Sequence, residues 1–394
     1  MKKKMLLTKL VVFGCIVTLA LWSLGVVYAE KSASVEPIKI GALLDFTGVV
    51  ADLGPRFEAG IKLRLEEANY EVAGRPIQLI LEDGGTDVNI SFDKAKKLIE
   101  RDKVTVMIGP LMGGIQLGLA PYLDEQRVLN FSLINIEFPV LKERSNWIGY
   151  PGSTYSAYKT MGYYAYDELG YRTMMTSGSD YAAGYSYLGG VADAFKERGG
   201  KIIEQQWVPL GTLDFSPYLV ATKNADAVAI FFASAGAVAR YITQHRGLGV
   251  KVPILVTDIS SGLEEDTLQE LGDKVLGMKG VDNYCWSLKT PMNEKFVAAF
   301  EAKYGRKPGG AELNAYVDTS IILAGLEATG GDASFDKLRP AILGLQIETP
   351  QGPTSFTPSG HAVVNRYIFE VKYIDGRYVL DPIRMYPNQV DPRD

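Results

Sequence analysis

The chain has 394 residues, 47% of them hydrophobic and 22% charged, with a formal net charge of −5. These are ordinary values for a folded globular protein and exclude a disordered or fibrous chain. The length exceeds what one core supports (about 250–300 residues), so two or three domains are expected.

The N-terminus comes first in chain order. Met1 to Lys9 carries Lys2, Lys3, Lys4 and Lys9 and no acid, Leu10 to Val27 is uncharged and mostly apolar, and Val27-Tyr28-Ala29 ends on a small residue. That is the layout of a cleavable secretory signal over residues 1–29. About 18 apolar residues could also span a bilayer, and Cys15 could carry a lipid. The five residues from Lys9 to Cys15 are too few for the apolar region of a lipoprotein signal. Loss of four lysines and no acid takes the net charge from −5 to −9. Basic residues are scattered, whereas a nucleic-acid partner wants a clustered basic face. Without Cys15, Cys285 is the only cysteine, so no internal disulfide can form; a buried core thiol is expected.

Beyond the linker Ala33–Pro37, short apolar runs alternate with amphipathic segments. Ile38–Leu44 reads as a strand. Gly54–Asn69 reads as a helix with Pro55 near its start and Phe57, Ile61, Leu65 and Ala68 on one face. Ile77–Leu81, Val104–Ile108, Val128–Ser132, Thr173–Thr176, Ile202–Trp207, Ala227–Phe232 and Ile254–Val256 read as further strands. Phe92, Ala95, Leu98 and Ile99 mark a helix between two of them, and Gly184–Arg198 and Val238–His245 mark two more. Strands alternating with helices of this length imply βαβ units and parallel sheets. About ten such units are too many for one doubly wound sheet, so two are expected. Breaks fall at Tyr150–Ser153, Ser287–Pro291 and Thr349–Pro353. Two helical stretches lie around Phe296–Tyr304 and Leu313–Ala324. The tail, Val363–Tyr373 and Tyr378–Leu380 around Asp375-Gly376, reads as a hairpin.

No catalytic constellation is visible. His245 and His361 are the only histidines, neither in a metal-binding pattern, and both read as surface or capping residues. No nucleophile elbow and no phosphate-binding Gly-Lys-Ser/Thr loop occurs, and Gly109–Gly114 lacks dinucleotide spacing. No cofactor or metal is expected. What remains is a set of small and polar residues at the carboxyl ends of the expected strands, where open α/β sheets bind ligands. These are Asp45–Gly48, Gly113-Gly114, Ser132–Asn135, Ser179–Tyr181, Ser234 and Asp258. Any one of them alone would be read as a turn or cap; together they suggest a cleft. Tyr150, Tyr284 and Trp286 lie near its expected edges.

The sequence resembles the branched-chain amino acid type of periplasmic solute-binding protein. The resemblance rests on Ile38–Gly48, Gly74-Arg75-Pro76-Ile77 with Glu82-Asp83, Gly109-Pro110, Asp180–Gly184, Gly211–Ser216 and Gly247–Pro253, in that order, and spans roughly residues 37–380. It implies an α/β fold of two doubly wound parallel-sheet lobes joined by three crossovers. Lobe one would hold 37–150 and 289–351, and lobe two 151–288 and 352–390. It also implies a monomeric receptor that closes on a small solute and delivers it to the membrane permease of an importer. Matched by position, the family's carboxylate-binding hydroxyl falls at Gly113 and a second hydroxyl near Asn135 or Ile136, and this chain has neither. The aromatic that covers the ligand falls at Leu53, the second-lobe tyrosine at Tyr181, and the acid meeting the ammonium at Asp258. Ligand contacts are expected from Phe46, Leu53, Met112, Gly113, Gly114, Ser132, Ile134 and Asn135 on one side. Tyr181, Ser234, Asp258 and Tyr284 are expected from the other. The lost hydroxyls and the nearby aromatics point to an apolar or aromatic carboxylate. The alternatives are an amino-acid receptor with altered anchors, a sensory module of the same fold, and an enzyme of unfamiliar chemistry.

Overall fold

The computed structural model describes residues 36–136, 144 and 146–394. The expected leader, its expected cleavage site and Cys15 lie outside them. Residues 38–394 cohere as one unit by themselves.

The first sheet is built from β1 (Ile38–Leu44), β2 (Glu71–Val72), β3 (Arg75–Asp83), β4 (Val106–Ile108), β5 (Leu129–Phe131) and β6 (Trp147–Ile148), in the spatial order β2-β3-β1-β4-β5-β6. β1 pairs parallel with both β3 and β4 and is covered on both faces. That is why Ile-Lys-Ile-Gly-Ala-Leu-Leu reads as a continuous apolar run rather than an alternation. The helices of seven or more residues between these strands are α1 (Leu53–Glu67), α2 (Val88–Lys96, extended by a π-turn to Arg101) and α3 (Gly113–Gln126).

The second sheet follows α4 (Lys159–Asp167). It holds β7 (Thr173–Ser179), β8 (Lys201–Val208), β9 (Ala227–Phe231), β10 (Ile254–Thr257) and β11 (Lys279–Asp282), connected through α5 (Ala182–Glu197), α6 (Ala235–Gly247) and α7 (Glu265–Leu271). Their order, β8-β7-β9-β10-β11, matches the order β3-β1-β4-β5-β6 of the first sheet. The chain then supplies α8 (Pro291–Tyr304), α9 (Gly310–Ala328) and α10 (Phe335–Leu343), of which α9 packs on α1 of the first layer. It ends in four antiparallel strands on the second sheet: β12 (Gln346–Thr349), β13 (Gly352–Phe356), β14 (Ala362–Ile374) and β15 (Arg377–Gln389). The second sheet is therefore mixed, and the expected tail hairpin is real but runs 13 residues in each arm.

The seam between α1 and α9 is fixed by one buried acid. A Cβ on Gly60 would sit 2.2 Å from the Glu312 carbonyl oxygen, so only glycine lets the two helices come this close. Glu312 is fully buried and accepts a two-pronged grip from Arg56, Nε at 2.9 Å and Nη2 at 3.0 Å, with Arg306 Nη2 at 2.6 Å. Burial opposes its charge, but the two guanidiniums outweigh burial and hold its carboxyl below the ordinary value of 4.5. Arg56 also reaches Glu264, just before α7 on the second layer.

Both histidines are buried, contrary to the surface or capping role expected from sequence. His245 is stacked on Tyr241 in the last turn of α6 with its ring pushed down to about 4 by burial, and His361 is held by Asp394. Cys285 is buried as expected, its thiol pushed up to about 11 by burial.

Removing one partner of a buried ion network leaves the others unpaired, at a cost of about 3–5 kcal/mol. Glu312→Gln is therefore expected to melt well below the wild type at pH 7. The depressed carboxyl contributes stability above its unfolded value and loses it as pH falls through the folded one, so the gap closes below about pH 4.5. Equal melting temperatures at pH 7, or a gap constant from pH 3 to 8, would contradict this.

Candidate ligand cleft

In each sheet the strand order reverses between the first and third strands of the unit, and this reversal opens a crevice at the carboxyl edge. In the first sheet the crevice lies between β1 and β4, and its lips are the 45–48 turn and the 109–114 turn. In the second it lies between β7 and β9, with lips at 179–181 and 232–234. The carboxyl ends of the two sheets face one another: α3 touches α5, and Asn135 after β5 meets Tyr158 just before α4 and side chains carried by α5 and by β14.

On the first side, Asp83 organises the 45–48 turn. Its Oδ1 accepts the amides of Phe46 (2.9 Å), Thr47 (3.3 Å) and Gly85 (2.9 Å), and its Oδ2 the Thr47 hydroxyl (2.8 Å). Burial raises its carboxyl, but these donors outweigh burial and leave it below the ordinary range. This explains the Glu82-Asp83 motif as loop construction. Phe46 and Leu53 are half-buried against the core. Gly109 adopts φ +90° with its α-carbon pressed on β1, where a Cβ would lie 2.2 Å from the Leu43 carbonyl oxygen. Met112 then caps α3, and Ile115 and Gln116 donate back to its carbonyl. The amides of Gly113 and Gly114 have no acceptor among the described residues, and a side chain at Gly114 would meet only open space.

The next strand end is knotted by its own polar groups. The Ser132 hydroxyl lies 2.8 Å from the Ile134 carbonyl and 3.1 Å from that of Tyr150, so it serves the backbone. The Leu133 amide donates to Asp318 at 3.1 Å. Ile134 is half-buried. Asn135 is nearly enclosed: its amide nitrogen donates to the hydroxyls of Tyr187 (3.3 Å) and Tyr158 (3.5 Å), and its oxygen accepts from Arg366 Nη2 at 3.1 Å.

On the second side, Tyr181 is the residue before α5, half-buried and stacked on Phe231 with ring centroids 6.2 Å apart. Ser234 is exposed and caps α6 by accepting from the Ala237 amide at 3.3 Å. Asp258 is half-buried in a left-handed conformation, φ 55°, close enough to Tyr158 to raise its hydroxyl pKa further once burial has raised it. Asp282 accepts from the Ser260 amide and hydroxyl (3.1 and 2.6 Å) and the Asn283 amide (2.7 Å). Tyr284 is fully buried and lines a recess with Arg56, Ser260, Leu263, Glu264 and Trp286.

Sequence reasoning missed Arg366, Tyr158 and Tyr187. The signal for Arg366 was a polar pair, Asn365-Arg366, inside an apolar strand; Tyr158 and Tyr187 read as ordinary core. Among the described residues no cluster of acids, histidines or cysteines could hold a metal ion.

A pair of open α/β layers meeting at their ligand-binding edges defines a cleft-type solute receptor. The sequence profile of the periplasmic binding proteins matches residues 37–377, and the chain belongs to that family. It is similar to the Leu/Ile/Val-binding protein homolog 6 of Brucella melitensis, 26% identical over 99% of this chain and 98% of the relative. Among solved structures it is similar to an ABC transporter substrate-binding protein from Sphaerobacter thermophilus (27% identity, TM-score 0.86, 90% of this chain and 99% of that one). It is also similar to a solute-binding protein of an ABC transporter from Rhodopseudomonas palustris BisB5 in complex with 3,4-dihydroxybenzoic acid (28% identity, TM-score 0.84, 91% and 99%). The protein is thus an extracytoplasmic solute-binding receptor that serves an ABC importer's permease, in a family of binding proteins rather than enzymes.

With its hydroxyl committed to backbone, Ser132 acts on the shape of the first lip. Ser132→Ala is expected to lower the stability of ligand-free protein by about 1 kcal/mol, read by denaturant unfolding. Unchanged unfolding would return that hydroxyl to the ligand.

Proposed function

We propose that the cleft captures a small carboxylate with an aromatic or bulky apolar body. The observation that carries this reading is the pair of unpartnered amides at Gly113 and Gly114, across the cleft from helix α5, with the tyrosines Tyr158, Tyr187 and Tyr181 on the same side. Backbone amides at a helix start suit an anion, glycine leaves room beside them, and tyrosine rings suit a flat apolar body. The dihydroxybenzoate held by the R. palustris relative supports the same class. On this reading Phe46, Leu53, Met112 and Ile134 form the first wall. Asn135 sits at the floor, and Ser234, Asp258 and Tyr284 approach from the second side. The lobes comprise 37–150 with 289–351 and 151–288 with 352–390, except that β12 (Gln346–Thr349) pairs with the second sheet. The mature protein is a monomer, begins near Glu30 after removal of residues 1–29, and has no nucleic-acid partner.

The second reading is an amino-acid receptor. It is favoured by Asp258, which stands where the family's amino-acid binders meet the ammonium, and by the name of the Brucella relative. Calorimetry separates the two on protein recovered from a Gram-negative periplasm with an intact mass starting near Glu30. 3,4-Dihydroxybenzoate should bind, and leucine should bind at least tenfold more weakly, because one lost charge-assisted hydrogen bond is worth roughly ten- to a hundredfold. Tyr181→Ala should weaken the aromatic acid roughly tenfold, while ligand-free stability falls only by the lost stacking on Phe231, about 0.5–1.5 kcal/mol. Submicromolar leucine binding with no response to the aromatic acid would reverse the assignment.

A further inference from the structure

We infer that Arg366 is the residue that makes this cleft select an anion, by giving its free guanidinium edge to the ligand carboxylate. The inference rests on the reading that the cleft holds a carboxylate, and adds which side chain recognises it.

Arg366 lies on β14 one residue before Tyr367, the partner of Asp282, and so stands at the carboxyl edge of the second sheet's parallel strands. It is 2% exposed, among the largest fully enclosed side chains of the protein. A guanidinium carries a full positive charge, and this one is buried. Its Nη2 donates to two neutral oxygens, Asn135 Oδ1 at 3.1 Å and the Pro151 carbonyl at 2.9 Å. Its Nη1 is buried with no hydrogen-bond partner among the described residues, and no carboxylate among them lies within ion-pair distance. The nearby acid Asp282 is held by Ser260 and Asn283 and makes no ion pair with Arg366.

The environment is built to admit the guanidinium. Gly152 adopts φ +136°, and a Cβ there would come within 3.1 Å of Nη2. Asn135 is itself oriented by Tyr187 and Tyr158, so the arginine and two tyrosine hydroxyls converge on one amide. A buried cation without a counter-ion is among the costliest groups a protein can hold. A carboxylate oxygen at Nη1 supplies the missing charge through a charge-assisted hydrogen bond.

This geometry also ties ligand charge to closure. Asn135 follows β5 of the first sheet, whereas Arg366 belongs to the second, so their hydrogen bond spans the two edges. On the proposed hinge, parting the edges would expose the guanidinium. Closure over a neutral solute seals in an uncompensated charge; closure over an anion neutralises it. A ligand shifts such a balance only through its different affinity for the two states, and here the difference is carried by one charge.

The test titrates 3,4-dihydroxybenzoate and its neutral amide, and leucine and leucinamide, into wild type, Arg366→Met, Arg366→Lys and Asn135→Asp. Wild type should prefer the acid over its amide by at least tenfold. Arg366→Met should erase that preference, with the acid losing tenfold or more and the amide changing less than threefold. Arg366→Lys should recover part of it. Asn135→Asp keeps the arginine but sets a fixed carboxylate beside Nη2, and should also lose the acid; it decides the matter should Arg366→Met fail to fold. If leucine binds and dihydroxybenzoate does not, the aromatic reading falls, while loss of the preference for leucine over leucinamide in Arg366→Met still upholds the arginine. An Arg366→Met that keeps the acid preference, an Asn135→Asp that binds the acid as tightly as wild type, or a wild type indifferent to ligand charge overturns the inference.

Discussion

The constraint on which the rest depends is the shared strand order of the two sheets. β1 lies between β3 and β4 and β7 between β8 and β9, so each sheet opens one crevice at its carboxyl edge. Parallel strands put every βα turn on that edge. The 45–48, 109–114 and 132–135 turns therefore come from the first sheet, and the 179–181, 232–234 and 257–260 turns from the second. A ligand in the proposed cleft would touch turns rather than cores. The site can change chemistry while Ile38–Leu44 and Ala227–Phe231 stay fully packed.

Two polar arrangements then connect the layers, and they differ in kind. Arg56 is pinned to Glu312 in the first layer and extends to Glu264 beside the second, so its charge is compensated whether or not a ligand is present. Arg366 has neutral partners only. The first contact is indifferent to what the cleft encloses. The second, in the role proposed for Arg366, would make closure conditional on it. A receptor that must release its cargo benefits from the second kind, since a permanently satisfied closed form would not reopen.

Much of the fold was legible in the sequence, and the reason is local. Ile38–Leu44 was read to the residue, and Ala227–Phe231 and Ile254–Thr257 to within one, because a buried run bounded by Gly, Pro or a polar turn needs no distant information. β6 was missed because its two residues carry no period, and β15 was read short because Pro382 and Pro387 interrupt its pattern. His245 was misplaced for a similar reason: a histidine in a last helical turn suits a cap, and only the neighbouring Tyr241 ring shows that it is packed. The turns of the cleft were legible as small residues after strands. Their connections were not, since Arg366 meets Asn135 across 231 residues and Leu133 meets Asp318 across 185. No pattern in either segment announces the other. Ser132 shows the converse: a hydroxyl at the right strand end that the backbone occupies.

The central claim is that this receptor closes around an anionic solute. Small-angle X-ray scattering with and without saturating 3,4-dihydroxybenzoate tests it most directly. The radius of gyration should fall on addition of the acid and stay unchanged with its neutral amide at equal concentration. A scattering profile unaltered by acid that calorimetry shows to be bound would contradict the claim.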